Sequence, residues 1–314
     1  MSEHRTLHTR DIAAPPEVVY GLIEDAGRWP VIFEPTVRVR SLERGATTER
    51  FQLWATVGGE VKTWTSRRTH DRTGRRIEFR QERSQPPIAS MGGAWEFRPL
   101  DGGGCRVLLH HDFTATDERA VDGLIEAVNA NSERELAATA RVAELGHPPE
   151  DLFFTFEDEV LLPGTAADVF TFIDRADLWP SRLPHVSRVD LTETVRGIQD
   201  MEMETVTSDG GAHTTRSIRL CFPDELIVYK QLVPPALLIG HSGAWEMTER
   251  DGGTAVVARH MVAVQPMAVT KVLGPGKGVA DAREFVRDAL GTNSRTTLAH
   301  AGEYARARRK DALQ

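Results

Sequence analysis

The chain has 314 residues, of which 40% are hydrophobic and 27% are charged, and it carries a net charge of −8. This composition excludes a disordered chain, and no apolar run approaches the ~18 residues that a membrane span needs. Both halves are acidic, which argues against a nucleic-acid partner, and two cysteines are too few for a disulfide framework. Because the N-terminal segment is polar and lacks the apolar core of a secretion signal, we expect a cytoplasmic protein.

The first predicted elements are a strand, a short helix and a helix break. Residues 6–12 form a short segment with the pattern of a strand. Pro15 and Pro16 suit the first turn of a helix, where a missing backbone N–H costs nothing. An apolar stripe continues this helix until Trp29-Pro30, which ends it.

Alternating segments separated by glycine-rich turns follow, and they predict an antiparallel sheet. Residues 57–59 and 101–104 are two of the turns that mark hairpins. Long amphipathic helices are predicted over about residues 117–145 and 279–309. This order of elements predicts an α+β fold in which a curved antiparallel sheet wraps around the long helix and leaves an internal cavity.

The two halves of the chain repeat each other. Trp29-Pro30 recurs as Trp179-Pro180, and Gly93–Phe97 recurs as Gly243–Met247, both at an offset of 150 residues. A repeat this long indicates two homologous domains rather than a solenoid. The predicted domains are residues 1–147 and residues 150–314.

A strand segment around residue 66 contains the first candidate for chemistry. Residues two apart in a strand share a face, so Trp64, Ser66 and Arg68 should point together. On the concave face of the sheet, the arginine would clamp carbonyl or enolate oxygens with two donors. The alternative is an arginine that faces solvent at the edge of the sheet.

The corresponding segment of the second half is matched at an offset of 148. This alignment pairs Arg216 with Arg68 and Thr214 with the serine two residues before it, and it puts Ala212 in the place of the tryptophan. Two pockets of different shape are therefore predicted. The candidate catalytic residues are Arg68, Ser66, Arg216 and Thr214.

Two pairs of repeated residues are either core or pocket lining. Trp95 and Trp245 lie in matching segments and either pack in the core or form a pocket wall. Asn131 and Asn293 lie on apolar faces of the long helices, where each is either a hydrogen-bonded core residue or part of a pocket. The spacing of these residues does not distinguish a core position from a position in a pocket wall.

His110-His111-Asp112 is the candidate acid–base cluster. The apolar residues that alternate around it predict that His111 points inward, where it would act as a general acid or base or be a satisfied core histidine. The 150-residue offset matches His260 with His110 and puts Met261 in the place of His111. No metal site is predicted, because the sequence has neither an HExxH motif nor a cysteine pair.

Together, these motifs resemble the helix-grip superfamily of polyketide cyclases and lipid-transfer proteins. More narrowly, the chain resembles the didomain aromatase/cyclases of bacterial type II polyketide synthases over essentially its full length. The motifs that carry this resemblance are Trp29-Pro30, Trp64-x-Ser66-x-Arg68, Met91-Gly92-Gly93-x-Trp95 and Asn131-Ser132. The substrate-binding residues implied are Trp29, Phe33, Trp64, Met91, Trp95, His111, Asn131, Trp179, Trp245, His260 and Asn293.

The resemblance implies closure of the first ring of a poly-β-ketone between carbon 7 and carbon 12, or aromatisation of that ring. The substrate would arrive on an acyl carrier protein, with other synthase subunits as partners. An aldol reaction followed by loss of water depends on folding the chain and stabilising an enolate, so no cofactor is expected. The alternatives are a non-catalytic carrier of lipid or polyketide and a structural subunit of a synthase. We expect a monomer, since the two repeats would form an internal pseudo-dimer.

Overall fold

The computed structural model describes residues 2–206 and 212–311. Contacts divide the chain into two compact units, Met1–Pro149 and Glu150–Gln314. The predicted domains of residues 1–147 and 150–314 each fall within one of these units.

The first unit is a seven-stranded antiparallel sheet with a long helix at its C-terminal end. The strands are β1 (His4–Ile12), β2 (Thr36–Arg44), β3 (Thr48–Val57), β4 (Glu60–Asp71), β5 (Arg76–Arg83), β6 (Ile88–Pro99) and β7 (Cys105–Ala115). The helices are α1 (Pro16–Glu24), α2 (Trp29–Ile32) and α3 (Val121–Ala143). The strand order in the sheet is β1-β7-β6-β5-β4-β3-β2.

The second unit repeats this plan with two additional helices, one before its first strand and one before its last helix. The strands are β8 (Phe153–Leu162), β9 (Val186–Val195), β10 (Ile198–Val206), β11 (Ala212–Phe222), β12 (Leu226–Gln231), β13 (Leu238–Arg250) and β14 (Gly253–Val264). The helices are α4 (Pro149–Leu152), α5 (Ala166–Asp174), α6 (Trp179–Arg182), α7 (Pro266–Leu273) and α8 (Val279–Asp311). The strand order is β8-β14-β13-β12-β11-β10-β9.

Apolar faces of the long helices close the core of each unit. In the first unit, Leu124 and Val128 of α3 pack in one cluster with Phe113 of β7. In the second, Leu298 and Ala301 of α8 belong to the cluster that fills the space under the sheet. This arrangement confirms the predicted α+β fold of two tandem helix-grip domains.

The strand register corrects one part of the sequence alignment. Arg68 pairs with Glu49 between β3 and β4, whereas Arg219 pairs with Gln199 between β10 and β11. The counterpart of Arg68 is therefore Arg219, and its pairing with Arg216 was wrong. The second hairpin is one residue longer, so the offset in this strand is 151 rather than 148. The two offsets differ by three residues, which is an odd number, so the alignment placed the predicted side chain on the opposite face of the sheet.

The same reasoning corrects the match between the histidines. Gly93 pairs with His111 between β6 and β7, and Gly243 pairs with His260 between β13 and β14. The second of these hairpins is one residue shorter, so the offset falls to 149. His260 is therefore the counterpart of His111, not of His110.

Candidate functional site

Arg68 is buried and fixed by the structure around it. Its side chain donates to the backbone oxygens of Ile23 at 2.7 Å and Glu24 at 2.6 Å, which are the last residues of α1. Its Nε donates to the Glu49 carboxylate at 2.7 Å, and its guanidinium lies 4.8 Å from the ring centre of Trp29. Arg68 thus joins the negative end of α1 to β3. Neither alternative from the sequence describes it, because it is neither solvent-facing nor free to clamp a ligand with two donors.

Arg219 occupies the same place in the second unit, with different partners. It donates to the Ile173 backbone oxygen at 2.6 Å and to the Gln199 side-chain oxygen at 2.8 Å. Its guanidinium lies 5.5 Å from the ring centre of Trp179. Its Nε is buried without a hydrogen-bond acceptor. The sequence alignment missed this residue because the preceding hairpin is one residue longer, which only the strand register reveals.

The placement of Arg216 and Thr214 in a pocket was wrong. The side chain of Arg216 is 52% exposed and forms an ion pair with Asp200 at 2.7 Å, and Thr214 is exposed. Their strand turns these residues away from the interior, as the alternation of side chains requires. Ser217 is the buried counterpart of Ser66, and both face the inside of their units.

The predicted replacement of Trp64 by Ala212 was also wrong. Trp64 pairs with Leu53 between β3 and β4, and Thr215 pairs with Met203 at the same point between β10 and β11. The position therefore changes from an indole to a buried hydroxyl, which makes the second interior more polar.

A cavity of about 120 Å³ lies under the sheet of the second unit and is lined by side chains of α8. All four substrate-binding residues predicted for this half line it. They are Trp179, Trp245, His260 and Asn293. Sequence reasoning missed the polar residues Ser217, Arg219, Tyr229, His241 and Ser294, which line the same cavity.

Two histidines and a tyrosine form a buried network in this cavity. His260 Nδ1 lies 3.2 Å from the Tyr229 hydroxyl and 3.1 Å from His241 Nε2. On the other side of its ring, His260 Nε2 lies 2.8 Å from the Ser294 hydroxyl. Gly243 makes room for this network, since a Cβ there would lie 2.3 Å from the tyrosine oxygen.

Burial sets the protonation of these groups. It lowers the pKa of His260 to about 4 and that of His241 to about 3, and it raises the pKa of Tyr229. At neutral pH the network therefore consists of two uncharged imidazoles and a protonated phenol. Such a set contains both a proton acceptor and a proton donor, as general acid–base chemistry requires.

The first unit presents an aromatic interior near α2. Trp29 packs edge-on against Phe33 and Phe51 at centroid distances of 5.6 and 5.7 Å. Trp64 packs against the same cluster and is partly exposed. Trp95 is buried in the core. The structure thus brings Trp29, Phe33 and Trp64 together, and their rings offer flat apolar surfaces.

His111 lies further along the same sheet. Its ring is edge-on to Phe79 at 5.4 Å, and its Nδ1 lies 3.5 Å from the Ser132 hydroxyl on α3. Burial lowers its pKa to about 4, so this imidazole is also uncharged at neutral pH. Met91 is partly buried and packs near α3 against the cluster that contains Phe113. His111 therefore keeps a serine partner but lacks a tyrosine.

Asn131 on α3 is partly exposed and donates to Glu135 at 3.0 Å. Burial raises the pKa of Glu135 to about 7, so this carboxyl group exchanges a proton near neutral pH. In the second unit the same place on α8 is taken by Thr297, which lines the cavity. Glu135 was not predicted, and its spacing of four residues from Asn131 was the available signal.

A wider groove of about 710 Å³ also lies in the first unit. Its charged side chains pair with one another, for example Arg80 with Asp112 at 2.6 Å and Arg76 with Glu96. Phe79 and His111 also line this groove, and we assign its charged residues no function, because these pairs leave no unmatched charge that would select a ligand. Among the described residues, no group of histidine, cysteine and carboxylate side chains is placed to hold a metal. None of the described helices has the length and apolar character to cross a membrane.

The chain is similar in sequence to known proteins over part or nearly all of its length. Residues 12–138 match a family described as polyketide cyclase / dehydrase and lipid transport. The chain is 56% identical over 313 residues to the actinorhodin polyketide synthase bifunctional cyclase/dehydratase of Streptomyces coelicolor, covering 96% of this chain and 97% of the relative. It is 48% identical to the granaticin polyketide synthase bifunctional cyclase/dehydratase of Streptomyces violaceoruber, covering 96% and 94%. The chain belongs to the polyketide synthase cyclase/dehydratase family.

Two solved structures share the fold of this cyclase/dehydratase over nearly all of its length. The di-domain ARO/CYC BexL from the BE-7585A pathway has a TM-score of 0.80 and 45% identity, covering 96% of this chain and 98% of that one. The di-domain ARO/CYC StfQ from the steffimycin pathway has a TM-score of 0.79 and 33% identity, covering 97% and 99%. The predicted resemblance to didomain aromatase/cyclases, and with it the prediction of an enzyme, is confirmed.

The interiors of the two units of the cyclase/dehydratase differ in polarity, and four matched positions on their strands show this difference. Each pair occupies the same place in the strand register. The first interior has the apolar or acidic residue, and the second has a polar uncharged one. The changes from the first unit to the second are Phe79 to Tyr229, Met91 to His241, Trp64 to Thr215 and Glu49 to Gln199.

Acidification should destabilise the second unit of the cyclase/dehydratase. Its buried histidines have pKa values of about 3 and 4, below the ordinary 6.5, so the unfolded chain takes up their protons first as the pH falls. The stability that neutral His241 contributes is complete above pH ~6.5 and is lost below it, by about 2 kcal/mol between pH 7 and pH 5. Urea unfolding at the two pH values measures this loss. His241→Met, which introduces the residue found at Met91, should reduce it, and an equal loss in both proteins would contradict the assignment.

Proposed function

We propose that this enzyme closes the first ring of a poly-β-ketone between carbon 7 and carbon 12 and aromatises it. Ring closure and loss of water are chemically different steps, and the chain has two interiors with different chemistry. The observation that supports the proposal most directly is the Tyr229–His260 pair, which the first unit replaces by Phe79 and His111. The second interior is therefore equipped for proton transfer in a way that the first is not.

The first interior suits ring closure. A flexible poly-β-ketone must be folded so that one methylene carbon meets one carbonyl, and the surfaces of Trp29 and Trp64 would hold it in place. The methylene between two carbonyls is acidic, so Glu135 or uncharged His111 would accept its proton. The resulting carbanion forms the new carbon–carbon bond, and the attacked carbonyl becomes a hydroxyl when it takes up a proton. Trp29, Phe33, Trp64, Met91, Trp95, His111 and Asn131 stay predictions as substrate-binding residues.

The second interior suits loss of water. The step removes a proton from the carbon beside a carbonyl and a hydroxide from the next carbon, which leaves a double bond and one water molecule. An uncharged imidazole of His260 would accept the proton, and the Tyr229 hydroxyl would donate one to the leaving hydroxide. Because neither ring closure nor dehydration changes the oxidation state of the substrate overall, we propose no cofactor.

We propose that the substrate is delivered on an acyl carrier protein and that other synthase subunits are partners. A single chain would act as a monomer, since it supplies both interiors. We place the reaction in the cytoplasm, where Cys105 and Cys221 would remain reduced thiols.

Reconstitution with a ketosynthase pair, a carrier protein and a ketoreductase tests this function. Adding the enzyme should convert a mixture of spontaneously cyclised products into one product with an aromatic ring closed between carbon 7 and carbon 12. Mass spectrometry and NMR of the products measure the change. An unaltered mixture, together with tight binding of the polyketide, would favour the non-catalytic carrier instead.

Arg216→Ala should leave this product distribution unchanged. The guanidinium is exposed and contacts Asp200 on the outer face, so its loss removes one surface ion pair worth at most ~1 kcal/mol. The product ratio and the yield per enzyme measure the effect. A change in ring position caused by Arg216→Ala would return this residue to the site and overturn the register argument.

A further inference from the structure

The cavity of the second unit contains a cation that no carboxylate contacts directly. Arg219 is fully buried, and its Nε–H has no acceptor. None of the side chains that line this cavity is a carboxylate, and Arg219 is the permanently charged one among them. A buried guanidinium in this state is costly unless something that enters the cavity compensates its charge.

Arg219 lacks a carboxylate partner because the residue opposite it is Gln199, whereas the residue opposite Arg68 is Glu49. In the first unit, Glu49 forms an ion pair with Arg68, and His70 lies 3.2 Å from the same carboxylate. In the second unit, an amide oxygen takes the place of that carboxylate, at 2.8 Å from Arg219. The first guanidinium is therefore paired directly with a carboxylate, and the second is not.

Two carboxylates of the second unit contact Gln199 rather than Arg219. Gln199 Nε2 donates to Asp174 at 3.1 Å and to Glu193 at 2.9 Å. The amide thus lies between these carboxylates and Arg219, which they attract without a direct contact, while the backbone oxygen of Asp174 accepts from Arg219 at 3.4 Å. Cys221 lies two residues after Arg219 on β11. Burial raises the pKa of its thiol to about 12, so this thiol is uncharged at neutral pH.

The other titratable groups around the cavity do not balance the cation. His241 and His260 are uncharged at neutral pH, and Tyr229 is protonated. Burial lowers the pKa of His185 at the cavity wall, so this imidazole is uncharged there as well. Among the side chains that line the cavity, Arg219 is therefore the one that carries a charge at neutral pH.

The cavity volume limits the size of a ligand that could pair with Arg219. At about 120 Å³ it is close to the ~150 Å³ apolar cavity that accepts one benzene molecule. The rings of Trp179 and Trp245, which lie edge-on to each other at 6.4 Å, form part of its wall. The space therefore suits one six-membered ring rather than a full-length extended chain.

We propose that the second unit binds a single ring in its ionised form, as an enolate or phenolate, and that Gln199 sets this selectivity. The oxygen anion of the ring would be paired with Arg219, and the hydroxyls of Thr215 and Ser217 lie on the same wall. In the first unit, Glu49 already occupies its arginine, so that interior does not select an anion. The identity of the natural ligand as the new ring rests on the proposed function, whereas the preference for an anion does not.

The test uses 4-nitrophenol as the probe, with the full-length enzyme and no synthase. Its phenolate absorbs visible light, so titration of the protein reports both binding and ionisation. The methyl ether 4-nitroanisole has a similar shape but cannot ionise. We expect the enzyme to bind the phenol more tightly as the pH rises through the pKa of the probe, and to bind the ether equally at every pH. Equal affinity for both compounds across this pH range would overturn the proposal.

Gln199→Glu is the decisive variant, since it gives the second unit the residue of the first. It should weaken binding of the phenolate at least tenfold and change binding of the ether less than twofold. Glu49→Gln makes the opposite change in the first unit and should leave phenolate binding by Arg219 intact. If Gln199→Glu fails to fold because of its acidic neighbours, the wild-type comparison of phenol and ether across pH still decides the proposal. Loss of both probes together in a folded variant would show an effect of shape and refute the role of charge.

Binding and catalysis fail independently in these experiments. Anion preference without ring closure in the reconstituted synthase would retain the site and reject the proposed function. Correct products with no preference for the anion would retain the proposed function and reject the anion site.

Discussion

Arg68→Ala should lower the free energy of unfolding by about 3–5 kcal/mol, the cost of removing one partner from a buried ion pair. The change leaves Glu49 without its cation and the backbone oxygens of Ile23 and Glu24 without their donor. These contacts connect the end of α1 to β3, so we expect the first unit to loosen as a whole. Any change in polyketide products should accompany this loss of stability rather than occur in a folded enzyme.

Urea unfolding followed by tryptophan fluorescence measures this effect, because Trp29 stacks on the same guanidinium. The neighbouring variant Arg67→Ala is the matched control. Its side chain is half-exposed and pairs with Glu82, so its stability should change by less than about 0.5 kcal/mol. A stable Arg68→Ala enzyme that produces only spontaneous products would instead mean that Arg68 contacts the substrate.

The fold of this enzyme could be predicted from the sequence because its signals are local and repeated. Trp29-Pro30 and Trp179-Pro180 recur at the same place in both halves, and the segments around Trp95 and Trp245 fix the alignment of the sheets. The prediction that Trp29-Pro30 ends the first helix was wrong, because α1 already ends at Glu24 and each Trp-Pro pair begins a short helix, α2 or α6, whose first turn accepts a proline. Glycine-rich turns then determine the order of strands. The family followed from these same anchors.

The site could be predicted only where the offset between the halves is constant. Between Glu49 and Arg68 one hairpin gains a residue in the second half, and a single-residue shift is enough to reverse which side chains point inward. Arg216 was chosen in place of Arg219 for this reason. Hairpin length cannot be read from periodicity, since both alignments give an alternating strand.

The network in the second unit could not be predicted because it depends on pairing across three strands. Tyr229 pairs with Gly243, which pairs with His260, and only this register brings the phenol to the imidazole. The residues are up to 31 positions apart in the chain. No short motif contains them, whereas the glycine that makes the approach possible was visible as part of the repeat.

Tyr229→Phe should slow dehydration by about 10²-fold, the lower end of what a positioned acid or base contributes, and leave ring closure unchanged. It removes one hydroxyl, 3.2 Å from His260 Nδ1, and introduces the residue that the first unit has at Phe79. The first unit shows that phenylalanine fits this position next to a histidine. We therefore expect a folded enzyme.

In the reconstituted synthase, Tyr229→Phe should accumulate a cyclised product that retains the hydroxyl and is two hydrogens and one oxygen heavier than the aromatic product. Phe79→Tyr, the opposite change in the first unit, is the matched control and should not cause this accumulation. His111→Ala should act on the earlier step and yield spontaneously cyclised products, because it alters the interior proposed to fold the chain. Division of the two steps between the units requires that these product profiles differ. If Tyr229→Phe and His111→Ala give the same mixture, both steps share one interior, and the second unit serves to bind the product or to stabilise the first.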